Sequence, residues 1–117
     1  MRIISAICAI LISGCATAHD PVSCKAPDPT TKIFGPELSA QDVEKIGIEM
    51  AAKNPEVPQV AFAYGNRNWE QLKSQYEPGD KFRQFEGPSY SDGRPIAGGY
   101  ILLRGGCVVG QIATWLA

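Results

Sequence analysis

The chain has 117 residues and a formal net charge of -1, with 44% hydrophobic and 20% charged residues. This composition suits one packed domain and argues against a disordered chain or a strongly basic protein that binds nucleic acid. The single histidine, His19, excludes metal sites that need several histidines and leaves one imidazole for any Ser-His or Cys-His mechanism.

The N-terminal segment has the pattern of an export signal. Arg2 precedes an apolar run from Ile3 to Ile12, which is too short to cross a bilayer as a helix. The run ends in Ile12-Ser13-Gly14-Cys15, which resembles the lipobox of bacterial lipoproteins. The resemblance covers residues 1–15 and implies that residues 1–14 are a signal peptide and that Cys15 carries lipid. With Ala16 next, it implies a protein anchored in the outer membrane of a bacterial cell envelope, facing the periplasm.

A second cleavage site competes with this one. Ala16-Thr17-Ala18 has the small-x-small pattern of ordinary signal peptides. Cleavage after Ala18 would release a soluble periplasmic or secreted protein. Both interpretations place the mature domain outside the cytoplasm.

Four cysteines are present, and two of them are predicted to form a disulfide. Cys8 leaves with the signal peptide and Cys15 is the lipidation site, so Cys24 and Cys107 remain as a pair in an oxidising compartment. The alternative is a free, nucleophilic Cys107, for which His19 would be the only imidazole base. We therefore expect the disulfide.

The mature chain begins with a predicted tether and continues into a helix. Prolines recur through residues 15–36 and disfavour helix, so this segment is predicted to be an extended tether, and residues 37–117 a single domain. Ser39 is predicted to cap a helix that ends at Asn54-Pro55. Four residues are expected on its core face: Val43, Ile46, Met50 and Ala51. Its charged residues, Glu44 among them, are expected to face solvent.

Three further elements precede a long loop. Large and small apolar residues alternate from Gln59 to Tyr64, which predicts a strand. Asn68 is predicted to cap a short helix with Trp69 on its inner face. Glu77-Pro78-Gly79-Asp80 predicts a turn in which Asp80 is a turn residue. Lys81 to Glu86 is predicted to form a strand, and the loop from Gly87 to Gly99 follows.

The C-terminal segment has the clearest pattern of the domain. Tyr100 to Arg104 and Cys107 to Ala113 flank Gly105-Gly106, which predicts a hairpin with a two-residue turn. One hairpin face is predicted to be core, with Ile101, Leu103, Val108 and Ile112. The other is predicted to be a mixed surface, with Tyr100, Leu102, Arg104, Val109 and Gln111. Gly110 is expected to pack against a bulky side chain such as Trp69.

The predicted fold class is α+β, a small antiparallel sheet of about four strands with two helices and a C-terminal β-hairpin. The sequence contains no motif for a catalytic nucleophile, a metal or a phosphate, so no catalytic residue, metal or cofactor is predicted. The predicted binding residues are Tyr90 and Arg94 in the long loop, and Tyr100 and Arg104 on the outer hairpin face.

We expect a non-enzymatic envelope lipoprotein that binds another protein, of the inhibitor, immunity or accessory-subunit type. Two alternatives remain open: a small hydrolase of envelope polymers whose carboxylates meet in a cleft, and a purely structural lipoprotein. The expected partners are the membrane, through the lipid anchor, and an envelope protein, with no nucleic acid.

Overall fold

The computed structural model describes residues 24–90 and 92–116. The predicted signal peptide and lipidation site Cys15 lie outside the described residues. The elements are β1 (Lys32–Leu38), α1 (Ala40–Ala52), a 3-10 helix (Ala63–Gly65), α2 (Asn66–Ser74), β2 (Lys81–Glu86), β3 (Ala97–Arg104) and β4 (Cys107–Leu116). The strands form one antiparallel sheet in the order β1-β2-β3-β4, which confirms the predicted α+β fold with its C-terminal strand pair.

Helix α1 begins where the sequence predicts. The Ser39 hydroxyl accepts from the Asp42 backbone N–H at 3.1 Å, and the Asp42 carboxylate accepts from the Ser39 N–H at 2.9 Å, so both halves of the capping box are present. The buried face differs from the prediction, because Val43, Gly47 and Ala51 point inward while Met50 is 40% exposed.

The predicted strand from Gln59 to Tyr64 does not form. This segment consists of turns and the 3-10 helix, because Phe62 and Ala63 adopt positive φ angles of 62° and 52°. The Phe62 N–H donates to the Gly47 carbonyl at 3.0 Å, and the Phe62 ring occupies the space that a side chain at Gly47 would need. The close packing of the Phe62 ring on Gly47, where α1 has no side chain, thus offsets the backbone strain of Phe62 and Ala63.

The first strand of the sheet comes from the predicted tether. Residues Lys32 to Pro36, predicted to be extended and separate from the domain, belong to β1, which pairs with β2 through Ile33–Phe85 and Phe34–Gln84. The sheet therefore starts before the predicted domain boundary at residue 37.

The helices cover one face of the sheet and enclose the larger part of the core. Trp69 is fully buried there, with its ring centroid 5.6 Å from Phe62 and 5.5 Å from Phe82. Its indole N–H donates to the Glu44 carboxylate, which also accepts from Lys73 Nζ at 3.1 Å. Hydrogen bonding to Trp69 lowers the pKa of Glu44, with a smaller contribution from Lys73. The expectation that Glu44 simply faces solvent is therefore wrong, since this carboxylate joins α1 to α2.

The C-terminal hairpin has the predicted turn but a different register beyond it. Gly105 and Gly106 have φ angles of +58° and +85°, and Arg104 pairs with Cys107 and Leu103 with Val108, as predicted. Val109 then has no opposite residue, so Leu102 faces Gly110. A one-residue bulge exchanges the faces of the residues that follow it, here Gly110 to Ala113.

The predicted hairpin faces are wrong in part: Ile101 and Ile112 are buried as predicted, but they lie on opposite faces of the sheet, because the bulge turns Ile112 toward the helices. Leu102, predicted on the mixed surface, is fully buried beneath the helices with Ile112. Leu103 and Val108, predicted to be core, are only partly buried. The side chain packed against Gly110 is Leu72, not Trp69.

The opposite face of the sheet is covered by residues 24–31, which we call the strap. A disulfide joins Cys24 to Cys107 with their Cα atoms 5.1 Å apart, as the cysteine count predicts. The Val108 N–H donates to the Lys25 carbonyl at 2.7 Å, and the strap lies over Ile101. Ile101 and Phe85, whose side chains point to this face, are buried.

Candidate functional site

The four predicted binding residues lie at three separate places on the domain. Arg104 lies beside the hairpin turn, at the end of the sheet that carries the disulfide. Tyr100 lies in the middle of β3, under the helices. Tyr90 and Arg94 lie together in the loop between β2 and β3, at the other end of the sheet.

Arg104 is engaged inside the domain. Its Nε donates to Asp80 Oδ1 at 2.9 Å, and its Nη2 donates to Asp80 Oδ2 at 2.8 Å and to the Gln75 carbonyl at 2.9 Å. Asp80 is 2% exposed and also accepts from the Glu77 backbone N–H at 2.9 Å. Arg104 thus fixes the α2–β2 turn to the hairpin, and Asp80 is the buried acceptor that makes this possible.

Replacing Asp80 by asparagine is expected to destabilise the domain by about 2–3 kcal/mol. The change removes the two-point ion pair with Arg104 and the negative charge that accepts from the Glu77 backbone N–H. Hydrogen bonds from Arg104 lower the pKa of Asp80 below its ordinary value of 3.8. A carboxyl group whose pKa is lower in the folded than in the unfolded state stabilises the fold at pH values above its pKa in the unfolded state. This stabilisation is lost as the pH falls through the pKa of the folded state. The stability difference between the parent and Asp80→Asn, measured by urea denaturation, should therefore be full at pH 6 and shrink below about pH 4.

Glu77→Gln is the matched control for this prediction. Glu77 Oε2 lies 3.7 Å from Arg104 Nη2 but is largely exposed, so its loss should cost less than about 1 kcal/mol. An Asp80→Asn protein as stable as the parent at pH 6 would contradict the structural role of the pair.

Tyr100 is a half-buried residue of the core margin. Its ring centroid lies 6.0 Å from that of Phe62 in a tilted arrangement, and burial raises the pKa of its phenol. Its position beneath the helices separates it from Arg104 as well as from the loop of Tyr90.

Tyr90, Asp92, Gly93 and Arg94 form a small hairpin of their own, which we call the Tyr90–Arg94 loop. The Tyr90 N–H donates to the Arg94 carbonyl at 2.7 Å, and the Gly93 N–H donates to the Tyr90 carbonyl at 2.9 Å. A bridge between Ser89 and Pro95 closes its base. The left-handed φ of +89° at Gly93 is a conformation that glycine adopts without strain. Backbone hydrogen bonds thus join Tyr90 to both Gly93 and Arg94.

Local contacts also hold the loop's side chains in place. Arg94 Nε donates to Asp92 Oδ2 at 2.6 Å, and the guanidinium carbon lies 5.4 Å from the centroid of the Tyr90 ring. Tyr90 is 42% exposed, and the Arg94 side chain is 75% exposed. The structure thus brings these two side chains together and exposes both of them to solvent.

Several exposed apolar residues escaped the sequence analysis. Trp115 is 40% exposed, and its indole fills the space that a side chain at Gly98 would need. Met50, Val60 and Tyr64 are exposed around the C-terminal end of α1 and the 3-10 helix. The pairing of Trp115 with Gly98 depends on a second bulge in β4, for which the sequence carries no clear signal.

Four carboxyl groups of the described residues have a pKa that departs clearly from its usual value, and all four accept hydrogen bonds within the domain. Asp28, Asp42, Glu44 and Asp80 all have a lowered pKa, in each case chiefly through hydrogen bonds from neighbouring groups. A general acid that works at neutral pH needs a raised pKa, whereas the pKa of these four groups is lowered. Residues 24–90 and 92–116 contain no group of three or more His, Cys, Asp or Glu side chains that could hold a metal ion.

The same ranges contain no helix with the length and hydropathy needed to span a bilayer. Comparison of the chain with models of known protein families, with characterised proteins and with solved structures found no significant match.

Proposed function

We propose that this protein is a lipid-anchored, non-enzymatic module of the bacterial cell envelope that binds another protein through the Tyr90–Arg94 loop. The observation that carries the proposal is the ordered, exposed pairing of Tyr90 with Arg94. Tyrosine and arginine are enriched among residues that dominate binding energies, and an ordered loop loses little entropy on association.

The position of the disulfide supports this arrangement. Cys24 is pinned to Cys107 at the hairpin end of the sheet, whereas the Tyr90–Arg94 loop joins the opposite ends of β2 and β3. From position 15 to position 24 the difference is nine residues, which span at most about 30 Å when fully extended. A lipid on Cys15 would thus hold the hairpin end near the membrane and leave the loop projecting away from it.

The anchor is tested by Cys15→Ser. The variant should accumulate as an unprocessed precursor or be cleaved elsewhere, without lipid, because the thiol that accepts the lipid is gone. Intact mass spectrometry and membrane fractionation measure both effects. Cys24→Ser is the control and should keep its lipid; unchanged mass and membrane partition of Cys15→Ser would contradict the anchor.

The binding surface is tested by capture from envelope extracts. The parent protein should retain a specific envelope protein, and Tyr90→Ala or Arg94→Ala should weaken that binding about 10- to 30-fold, as expected for hot-spot residues. Glu49→Ala, on the exposed side of α1, should bind like the parent. Equal retention by all four proteins would argue against the loop, and no retained protein would argue against a binding function.

A further inference from the structure

A groove runs between the edge strand β4 and helix α2. Its main part has a volume of about 230 Å³ and is lined on the strand side by Gly110 to Ala113. It continues into a cleft of about 140 Å³ that ends at Met50 and Phe62. The two cavities share Asn68, Ile112 and Ala113, so they form one continuous feature along the strand. We call it the β4 groove.

The two edges of the sheet differ in how far they are protected. On β1, Gly35-Pro36 and irregular pairing interrupt the edge, and the Arg83 guanidinium donates to the Gly35 carbonyl at 2.8 and 3.0 Å. On β4, the pairing with β3 is regular from Gly110 to Ala113. Alternate backbone groups of an edge strand have no partner within the sheet and can pair with an added strand.

The chain already uses this edge for backbone pairing. The Val108 N–H donates to the Lys25 carbonyl at 2.7 Å, beside the disulfide and just before the regular stretch begins. An added strand along Gly110 to Ala113 would lie next to this contact, on the other side of the bulge at Val109.

The opposite wall of the groove carries side-chain amides. Asn68 and Gln71 of α2 and Gln75, which directly follows the helix, line this wall. All three are exposed and have no side-chain hydrogen bond to another described residue. A carboxamide both donates and accepts, which is the hydrogen-bonding capacity of a peptide group. The main part of the groove contains no charged residue among those described, so its chemistry matches an uncharged polypeptide backbone.

We propose that the β4 groove binds an extended, uncharged segment of a partner polypeptide as a fifth strand. Backbone hydrogen bonds to β4 supply the affinity, while Gln71 and Gln75 contact the outer edge of the added strand. The cleft at Met50 and Phe62 takes an apolar side chain of that segment. These residues are separate from the Tyr90–Arg94 loop, so the two surfaces can be tested independently.

The probe is a phage-displayed library of random octapeptides, selected on the full-length protein in detergent. Selected peptides should be extended and largely uncharged. Gln71→Ala combined with Gln75→Ala should weaken their binding at least 10-fold, whereas Glu70→Ala, on the far side of α2, and Tyr90→Ala should leave it unchanged. Methylating alternate backbone nitrogens of a selected peptide should also weaken binding at least 10-fold in one of the two alternating patterns, because strand addition needs those N–H groups.

Three results would overturn the proposal. The first is the failure to select any peptide, and the second is binding that tolerates both patterns of backbone methylation or the double glutamine variant. The third concerns a second copy of the chain as occupant. If sedimentation shows a dimer that the double variant converts to monomer, the edge is a self-association surface. Circular dichroism of the double variant should match the parent, since both glutamines are exposed.

Discussion

Replacing Cys24 and Cys107 together by serine is expected to lower the free energy of unfolding by about 4–5 kcal/mol. The disulfide closes a loop with a sequence separation of 83, and the chain entropy released in the unfolded state gives this figure as an upper value. The strap over Ile101 would also lose its anchor, and with it the bond from the Val108 N–H to the Lys25 carbonyl. Urea denaturation of parent and variant at the same pH measures the difference.

Reduction provides the matched control for this prediction. The parent protein treated with dithiothreitol should approach the stability of the double serine variant, because both lack the same crosslink. A loss below about 1 kcal/mol would mean that the strap and hairpin hold together without the disulfide, and the role we assign to the bond would be wrong.

Replacing Trp69 by alanine is expected to cost about 3–5 kcal/mol, a large share of the stability of so small a domain. The fully buried indole contacts Phe62 and Phe82, and its N–H reaches Glu44 on the other helix. The alanine variant would leave a cavity between the helices and the sheet. Denaturation followed by circular dichroism measures the loss without relying on the missing fluorophore.

Trp69→Phe separates packing from hydrogen bonding. It keeps an aromatic ring between Phe62 and Phe82 but removes the donor to Glu44, which Lys73 still partly satisfies. We expect a smaller loss of about 1–2 kcal/mol. Equal losses for the alanine and phenylalanine variants would show that the hydrogen bond, and not packing, fixes Trp69.

Most of the features that the sequence predicts correctly depend on residues close together in the chain. The capping box at Ser39 and the turn at Gly105-Gly106 are set by local backbone requirements. The disulfide joins the two cysteines that lie outside the predicted export signal and lipidation site. The antiparallel sheet with two helices is also predicted, although its fourth strand is β1 and not the predicted strand from Gln59 to Tyr64.

The errors arise where distant packing decides the local conformation. Phe62 alternates like a strand residue but enters a left-handed turn, because its ring packs on Gly47. The bulge at Val109 has no sequence signal, yet it exchanges the buried and exposed faces of β4. A proline-containing segment was predicted to be a tether, but an edge strand such as β1 tolerates Pro36.

The candidate site was predictable only in part for the same reason. Tyr90 and Arg94 lie close in sequence, within a long loop rich in glycine and proline. Their proximity in space therefore depends on the loop alone. Arg104 is predicted to be a binding residue, since its partner Asp80 lies 24 residues away in a segment predicted to be a simple turn. Such pairing depends on how the turn and the hairpin meet in three dimensions.

The most direct test of the proposed binding function places a photoreactive benzoylphenylalanine at position 90 in intact cells. The replacement keeps an aromatic ring at this exposed position, although it is larger than tyrosine, and the same group at Glu49 provides the control. The proposal predicts one dominant crosslinked envelope protein from position 90, which is lost with Arg94→Ala and absent from position 49. Identical products from both positions, or no product from position 90, would contradict it.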